Sequence, residues 1–210
     1  MNDYNLKSTQ VKFEPQERIS WDDFFMEIAL AASKRTACLF HKVASVFVDS
    51  NHKIVSFGYN GPSTGDRHCN EVGCAKVHGD PIDGEIKRCR GAHSEINGII
   101  NSGDTNRLKD STLYITTFPC YDCMKALNNV GVKRIVYYKE YLRILDGSDG
   151  TKKVAEMEAW ELAGRRNIKL EKYQSQNTDE LKLPDPEEIK MKDQPTVDQP
   201  EAGKKGRPRW

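Results

Sequence analysis

The chain has almost no surplus charge and no long apolar run. Its 32 Lys and Arg stand against 31 Asp and Glu, for a net charge of +1. No global field therefore steers it towards nucleic acid or a membrane surface. No stretch approaches the ~20 apolar residues that span a bilayer, and the mean hydropathy of −0.71 agrees. The first residues, Met1 to Lys7, lack the apolar core of a secretory signal, so the expected location is the cytoplasm. Aromatics make up only 9% of the chain and are almost absent beyond Ser175, where Pro, Asp, Glu, Lys and Gln take over. Such a segment cannot bury enough apolar surface to offset its ordering entropy. The expected organisation is a flexible arm over 1–16, one folded domain over 17–174 and a disordered charged tail over 175–210.

Cysteine is not scarce. There are six, and in a reducing compartment they argue for metal or catalysis more than for disulfides. Cys120 and Cys123 form a Cys-x-x-Cys after Pro119, and His93 with Glu95 forms a His-x-Glu upstream. One imidazole and two thiolates suit Zn²⁺, and three protein ligands leave a fourth position open for a water, the mark of a catalytic rather than a structural zinc. Glu95, two residues after the His, is placed to move protons beside the metal without binding it. Either half of the pattern is weak alone, since Cys-x-x-Cys also serves redox pairs and zinc ribbons. Together they match the pattern of zinc-dependent nucleobase deaminases.

In chain order, Ser20 is a good N-cap for a helix with Asp22 and Asp23 in its first turn. Trp21, Phe24, Phe25, Ile28 and Ala32 are expected to be its core-facing stripe. Val43–Val48 and Ile54–Phe57 read as a hairpin about Asp49–Lys53, with His52 a solvated turn residue. Beyond Pro62 the chain runs to Cys89 without convincing periodicity, and a loop that long needs a function or a staple. Cys69, Cys74 and Cys89 lie in it, with Cys38 just before the first strand; four thiolates would close a structural zinc site. His68 or His78 would serve in place of one Cys, and the plain alternative is that some of these thiols are small buried apolar groups. Helices follow from His93 to Asn101, Cys120 to Val130 and Lys152 to Leu162, the last closed by Gly164. Strands are expected at Thr112–Thr116, Arg134–Tyr138 and Ile168–Glu171. A hairpin first and helix-linked strands later imply an α/β fold with a mixed sheet. Right-handed crossovers place the helices that start at His93 and Pro119 side by side, with both N-termini towards one spot.

Several stretches narrow the resemblance. Glu17–Trp21, Arg35–Cys38, Gly58–Gly61, His68–Cys74, Cys89–Arg90 and His93–Asn97 occur in the order found in deoxycytidylate (dCMP) deaminases of the bacterial and phage type, and the similarity extends over Glu17–Tyr173. The resemblance implies the cytidine-deaminase-like three-layer α-β-α sandwich on a five-stranded mixed sheet. It implies zinc-dependent conversion of dCMP to dUMP and ammonia, which feeds thymidylate synthesis, and a structural zinc besides the catalytic one. It carries Asn60 over to the sugar 3′-hydroxyl, the backbone at Ser94 to the pyrimidine carbonyl, Asn97 to the pocket, and Arg35 and Tyr141 to the phosphate. It also implies homo-oligomers, commonly hexamers, and in some relatives regulation by dCTP and by dTTP with Mg²⁺ near the hairpin. Two positions depart from the family pattern: His-Ala-Glu is His93-Ser94-Glu95 here, and Val-Gly-Ala is Val43-Ala44-Ser45, where the Ala44 methyl can crowd a regulatory nucleotide.

Three other readings compete. A nucleoside or tRNA deaminase would share the metal core, and dCTP or a modified cytosine nucleotide would fit the same chemistry. A non-enzymatic, zinc-stabilised, DNA-associated competence module would rely on the basic end Gly203–Trp210, which resembles a minor-groove hook. A short basic terminus more often only solubilises, and nucleic acid is not an expected partner of the rest of the chain.

Overall fold

The computed structural model describes residues 18–140, 144–146, 152–154 and 156–175. The expected arm, most of the tail and Tyr141 lie outside them. Helix α1 (Trp21–Ser33) starts where Ser20 accepts the Asp23 amide at 3.0 Å. Strands β1 (Ala44–Val48) and β2 (Ile54–Tyr59) form the hairpin. The Cys-rich stretch is not featureless: β3 (Gly61–Pro62) pairs with β4 (Gly91–Ala92), and the short helix α2 (Cys69–Val72) lies between them. Then come α3 (Ser94–Asn101), a 3₁₀ turn at Thr105–Leu108, β5 (Thr112–Thr117), α4 (Tyr121–Asn129) and β6 (Arg134–Lys139). Strands β7 (Ile144–Asp146) and β8 (Lys152–Val154) pair with each other, ahead of α5 (Met157–Arg165) and β9 (Lys169–Lys172).

The main sheet has the order β2-β1-β5-β6-β9, antiparallel through β2, β1 and β5 and parallel through β5, β6 and β9. Alternate side chains face opposite layers. Val46, Val48, Tyr114 and Val136 meet Phe25, Met26, Ala29 and Leu30 of α1. On the other face Phe47, Leu113, Ile115, Ile135 and Tyr137 pack with Met124 and Leu127 of α4 and Ala159 and Ala163 of α5. This is the expected three-layer α-β-α sandwich. Among the described residues no helix is long and apolar enough to cross a membrane.

A polar clamp fixes α1 to the strand ends away from the candidate site. Arg134 donates to both carboxylate oxygens of Asp22, at 2.9 and 2.6 Å, and pairs with Glu171, while the Tyr114 hydroxyl donates to Asp22 at 2.7 Å. The Arg134 hydrogen bond holds the Asp22 carboxyl below the usual carboxylate range.

Four local expectations are corrected. Lys152–Val154 is a strand, not the start of a helix. The Gly- and Asp-rich run Asp146–Gly150 is a hairpin signal, and the helix begins only at Met157. Gly164 lies inside α5, and Asn167 takes the left-handed conformation beyond it, at φ 55°. The buried stripe of α1 is Phe25, Met26, Ala29 and Leu30; Trp21 and Phe24 flank it at 46% and 40% exposure. His52 is not merely solvated, because its ring stacks on Trp21 with centroids 4.5 Å apart.

Candidate metal centre

Two helices begin at the same place. His93 is the N-cap of α3, Cys120 is the N-cap of α4, and Cys123 lies in the first turn of α4. The β3–β4 ladder delivers the chain to His93, and β5 delivers it to Cys120 through Phe118-Pro119. His93 Nδ1 lies 3.5 Å from Cys120 Sγ and 3.3 Å from Cys123 Sγ. Bonds of usual length from one zinc to a nitrogen and a sulfur, at the tetrahedral angle, put those two atoms about 3.5 Å apart. The donor set and its spacing therefore fit Zn²⁺. Among the described residues this is the one group of His, Cys, Asp or Glu ligand atoms all within 4.8 Å of one another. It grades from exposed at His93 to buried at Cys123, so an ion and a small molecule can reach it from one side.

The electrostatics suit a cation. The Cys123 hydrogen bond pulls the Cys120 thiol down to about 4, and the same contact pushes Cys123 up. One thiolate is favoured by the pair alone, and a divalent ion would hold both. Partial positive charge at the two helix N-termini favours thiolates further.

Glu95 is 3% exposed and lies in the first turn of α3. Its carboxyl lies close enough to His93, Cys120 and Cys123 for their charges to act on one another. Burial raises its pKa above the usual carboxylate value, partly opposed by hydrogen bonds from its own amide and from Ser94.

The other expected site residues are arranged less directly. Ser94 is fully buried; its carbonyl accepts from Ser45 Oγ at 2.9 Å, and its hydroxyl donates to Glu95 Oε2 at 2.9 Å. Asn97 donates to the Tyr59 carbonyl at 2.8 Å, tying α3 to the end of β2. Asn60 Oδ1 accepts from Thr36 Oγ1 at 2.8 Å and from the Val43 amide at 2.9 Å, and its Nδ2 donates to the His41 carbonyl at 2.8 Å. Three of its four hydrogen-bonding positions are thus used to shape the α1–β1 loop, leaving one amide hydrogen. Arg35 is exposed in that loop, and Tyr141 lies outside the described residues.

Cys38, Cys74 and Cys89 all lie near enough to Cys69 to oppose its ionisation, which burial also disfavours. The four sulfurs gather without reaching the tight spacing of the His93 group. His78 turns Nδ1 to the Cys74 amide at 3.0 Å.

The seating of α3 was not anticipated. Ser56 Oγ donates to the Gly98 carbonyl, and Gly58 and Gly98 bring the backbones of β2 and α3 into direct contact. The available signals were a serine inside the apolar run at Ser45 and a glycine inside a helix at Gly98, which implies a close neighbour.

A family model for the cytidine and deoxycytidylate deaminase zinc-binding region matches residues 19–139. The chain belongs to this deaminase family. Over 125 residues it is 35% identical to a Schizosaccharomyces pombe deoxycytidylate deaminase, covering 59% of this chain and 38% of that protein. A deoxycytidylate deaminase of Mycobacterium phage D29 is 33% identical over 129 residues, covering 59% of this chain and 98% of the phage protein. The chain thus spans well under half of the yeast relative but nearly all of the phage one. Among solved structures, a cyanophage S-TIM5 dCMP deaminase in complex with dCMP and dUMP aligns with a TM-score of 0.56 at 22% identity, covering 75% of this chain and all of that one. That likeness concerns the deaminase fold.

Proposed function

We propose that this deaminase hydrolyses dCMP to dUMP and ammonia, with Zn²⁺ held by His93, Cys120 and Cys123 and with Glu95 as the proton shuttle. The observation that carries the reading is the convergence of those three ligand atoms beside a buried carboxyl. Zinc, when bound, supplies the Lewis acidity that makes water nucleophilic near neutral pH. Glu95 accepts a proton from the attacking water and delivers it to N3 of the cytosine ring, making C4 electrophilic. The water oxygen bonds to C4, and Glu95 passes the second proton to the exocyclic amine, which leaves as ammonia. Water and dCMP are consumed, and no redox partner is required.

Ser94 backbone, Asn97 and the remaining Asn60 amide hydrogen are assigned to the nucleoside, and Arg35 and Tyr141 to the phosphate. The deoxycytidylate specificity is supported by relatives of that name at 33–35% identity. A second, structural zinc at Cys38, Cys69, Cys74 and Cys89 is supported by their gathering around Cys69. The same reading includes a homo-oligomer and a cytoplasmic location.

Ammonia release from cytidine, deoxycytidine, dCMP and dCTP, measured in parallel with and without chelator, tests the substrate. Chelator-sensitive turnover greatest with dCMP is expected; deoxycytidine turning over as well as dCMP refutes the nucleotide assignment. Metal analysis tests the second site. Two zinc ions per chain are expected in the wild type and one in Cys74→Ser, with a lowered unfolding temperature. An unchanged count of two in that variant removes Cys74 from the ligand set.

A further inference from the structure

Two serines form a line of hydrogen bonds from the middle of the sheet to the Glu95 carboxyl. Ser45, fully buried in β1, donates from Oγ to the Ser94 carbonyl at 2.9 Å. Ser94, also fully buried, donates from its own Oγ to Glu95 Oε2 at 2.9 Å. The packing behind them is tight: a Cβ built on Gly98 would lie 2.4 Å from the Phe47 ring and 3.3 Å from Ser45 Oγ. Helix α3 has no room to slide along the strand without breaking this line.

A glutamate brings three torsions to its site, and the last of them is broad and nearly two-fold. A shuttle that takes a proton at one point and releases it at two others loses rate if its carboxyl rotates freely, because reach and alignment dominate proton transfer. A donor fixed on one oxygen removes that freedom. It also survives both halves of the cycle: with the mobile proton on Oε1, Oε2 still accepts from Ser94 whether Glu95 is charged or neutral.

We infer that Ser94 is a positioning residue whose side-chain hydroxyl holds Oε2 of Glu95 and so assigns proton transfer to Oε1, with Ser45 fixing Ser94 in turn. The inference rests on the deaminase reading and adds a role for a side chain that faces the carboxyl rather than the substrate. Its scope is orientation: zinc binding and dCMP affinity do not pass through the hydroxyl.

The test is a double-mutant cycle on zinc-loaded wild type, Ser94→Ala, Glu95→Gln and the double variant, with zinc content and KM measured for each. Ser94→Ala is expected to lower kcat for dCMP about tenfold, the order expected for losing one hydrogen bond to a charged group. KM and zinc content should hold, and Ser94→Thr should recover turnover. In the Glu95→Gln background the same change should alter residual turnover by less than about twofold, because the oriented group is gone. Wild-type kcat in Ser94→Ala, or an equal loss in both backgrounds, overturns the inference. Urea midpoints of wild type, Ser94→Ala, Glu95→Ala and that double variant give a second cycle that needs no turnover, because alanine deletes the acceptor that glutamine would keep. Additive midpoints mean that the hydroxyl does not hold the carboxyl, and they overturn the inference whatever the substrate. Wild-type protein that releases no ammonia from dCMP defeats the deaminase reading instead.

Discussion

Glu95→Gln is expected to keep the fold and the zinc while releasing ammonia from dCMP at least about a thousandfold more slowly. The amide has the volume of the carboxyl and can still accept from Ser94, so little reason exists for the buried pocket to rearrange. What it cannot do is take a proton and return it. Asp122 does not substitute: in the first turn of α4 it is 87% exposed and paired with Lys125 at 2.7 Å. The pH profile gives an independent reading. Glu95 must be ionised to accept the first proton, and burial raises its pKa. Wild-type turnover should therefore fall as pH drops through the Glu95 pKa, which burial raises and a bound zinc ion lowers, and that limb should vanish from the residual activity of the variant. Zinc content and urea midpoints separate loss of chemistry from loss of structure. Near wild-type turnover by Glu95→Gln would remove Glu95 from the mechanism.

The candidate metal group was legible because its convergence depends on local order. His93, Cys120 and Cys123 each stand at a helix start, and residue type with spacing already implies zinc; right-handed crossovers then bring the two starts together. The sheet was legible for a similar reason, since a short hairpin must be antiparallel and helix-linked strands tend to be parallel. What escaped depends on distant neighbours. The resemblance carries Asn60 to the sugar 3′-hydroxyl, but its bonds to Thr36, Val43 and His41, which shape the loop, emerge only in the fold. The stripe of α1 was displaced because its aromatic residues carry the strongest hydrophobic signal, yet Trp21 finds part of its cover on His52 in another element. Strand β8 reads as helix in sequence because Lys152-Lys153-Val154 runs straight into a helical pattern, and only pairing with β7 distinguishes the two. Gly58 stands in the stretch Gly58-Tyr59-Asn60-Gly61, but the backbone it admits belongs to α3, far along the chain.

That contact makes Gly58→Ala the substitution with the largest expected effect on structure. An added Cβ would sit 2.2 Å from the Ser94 carbonyl oxygen and 2.3 Å from the Gly98 nitrogen. Both are backbone atoms of one helix and cannot rotate away as a side-chain end could. Helix α3 must rise from β2 by on the order of 1 Å to restore ordinary contact, in an interior that does not deform continuously. The rise would stretch four hydrogen bonds that now seat the helix: Ser45 to Ser94, Ser56 to Gly98, Asn97 to Tyr59 and Asn101 to Phe57. Overpacking and lost hydrogen bonds together should cost about 3 kcal/mol or more. The chemical consequence follows from which residues move. His93 and Glu95 travel with α3 while Cys120 and Cys123 stay with α4, so zinc affinity and turnover should fall with stability. Gly164→Ala is the matched control: Gly164 lies within α5 and nothing stands within 4 Å of its added Cβ. That change should be neutral or stabilising by up to about 1 kcal/mol. Urea midpoints and zinc retention under chelator challenge read both variants. Wild-type values for Gly58→Ala would mean that α3 is not seated on β2, and the alignment of His93 and Glu95 with the two cysteines would need another cause.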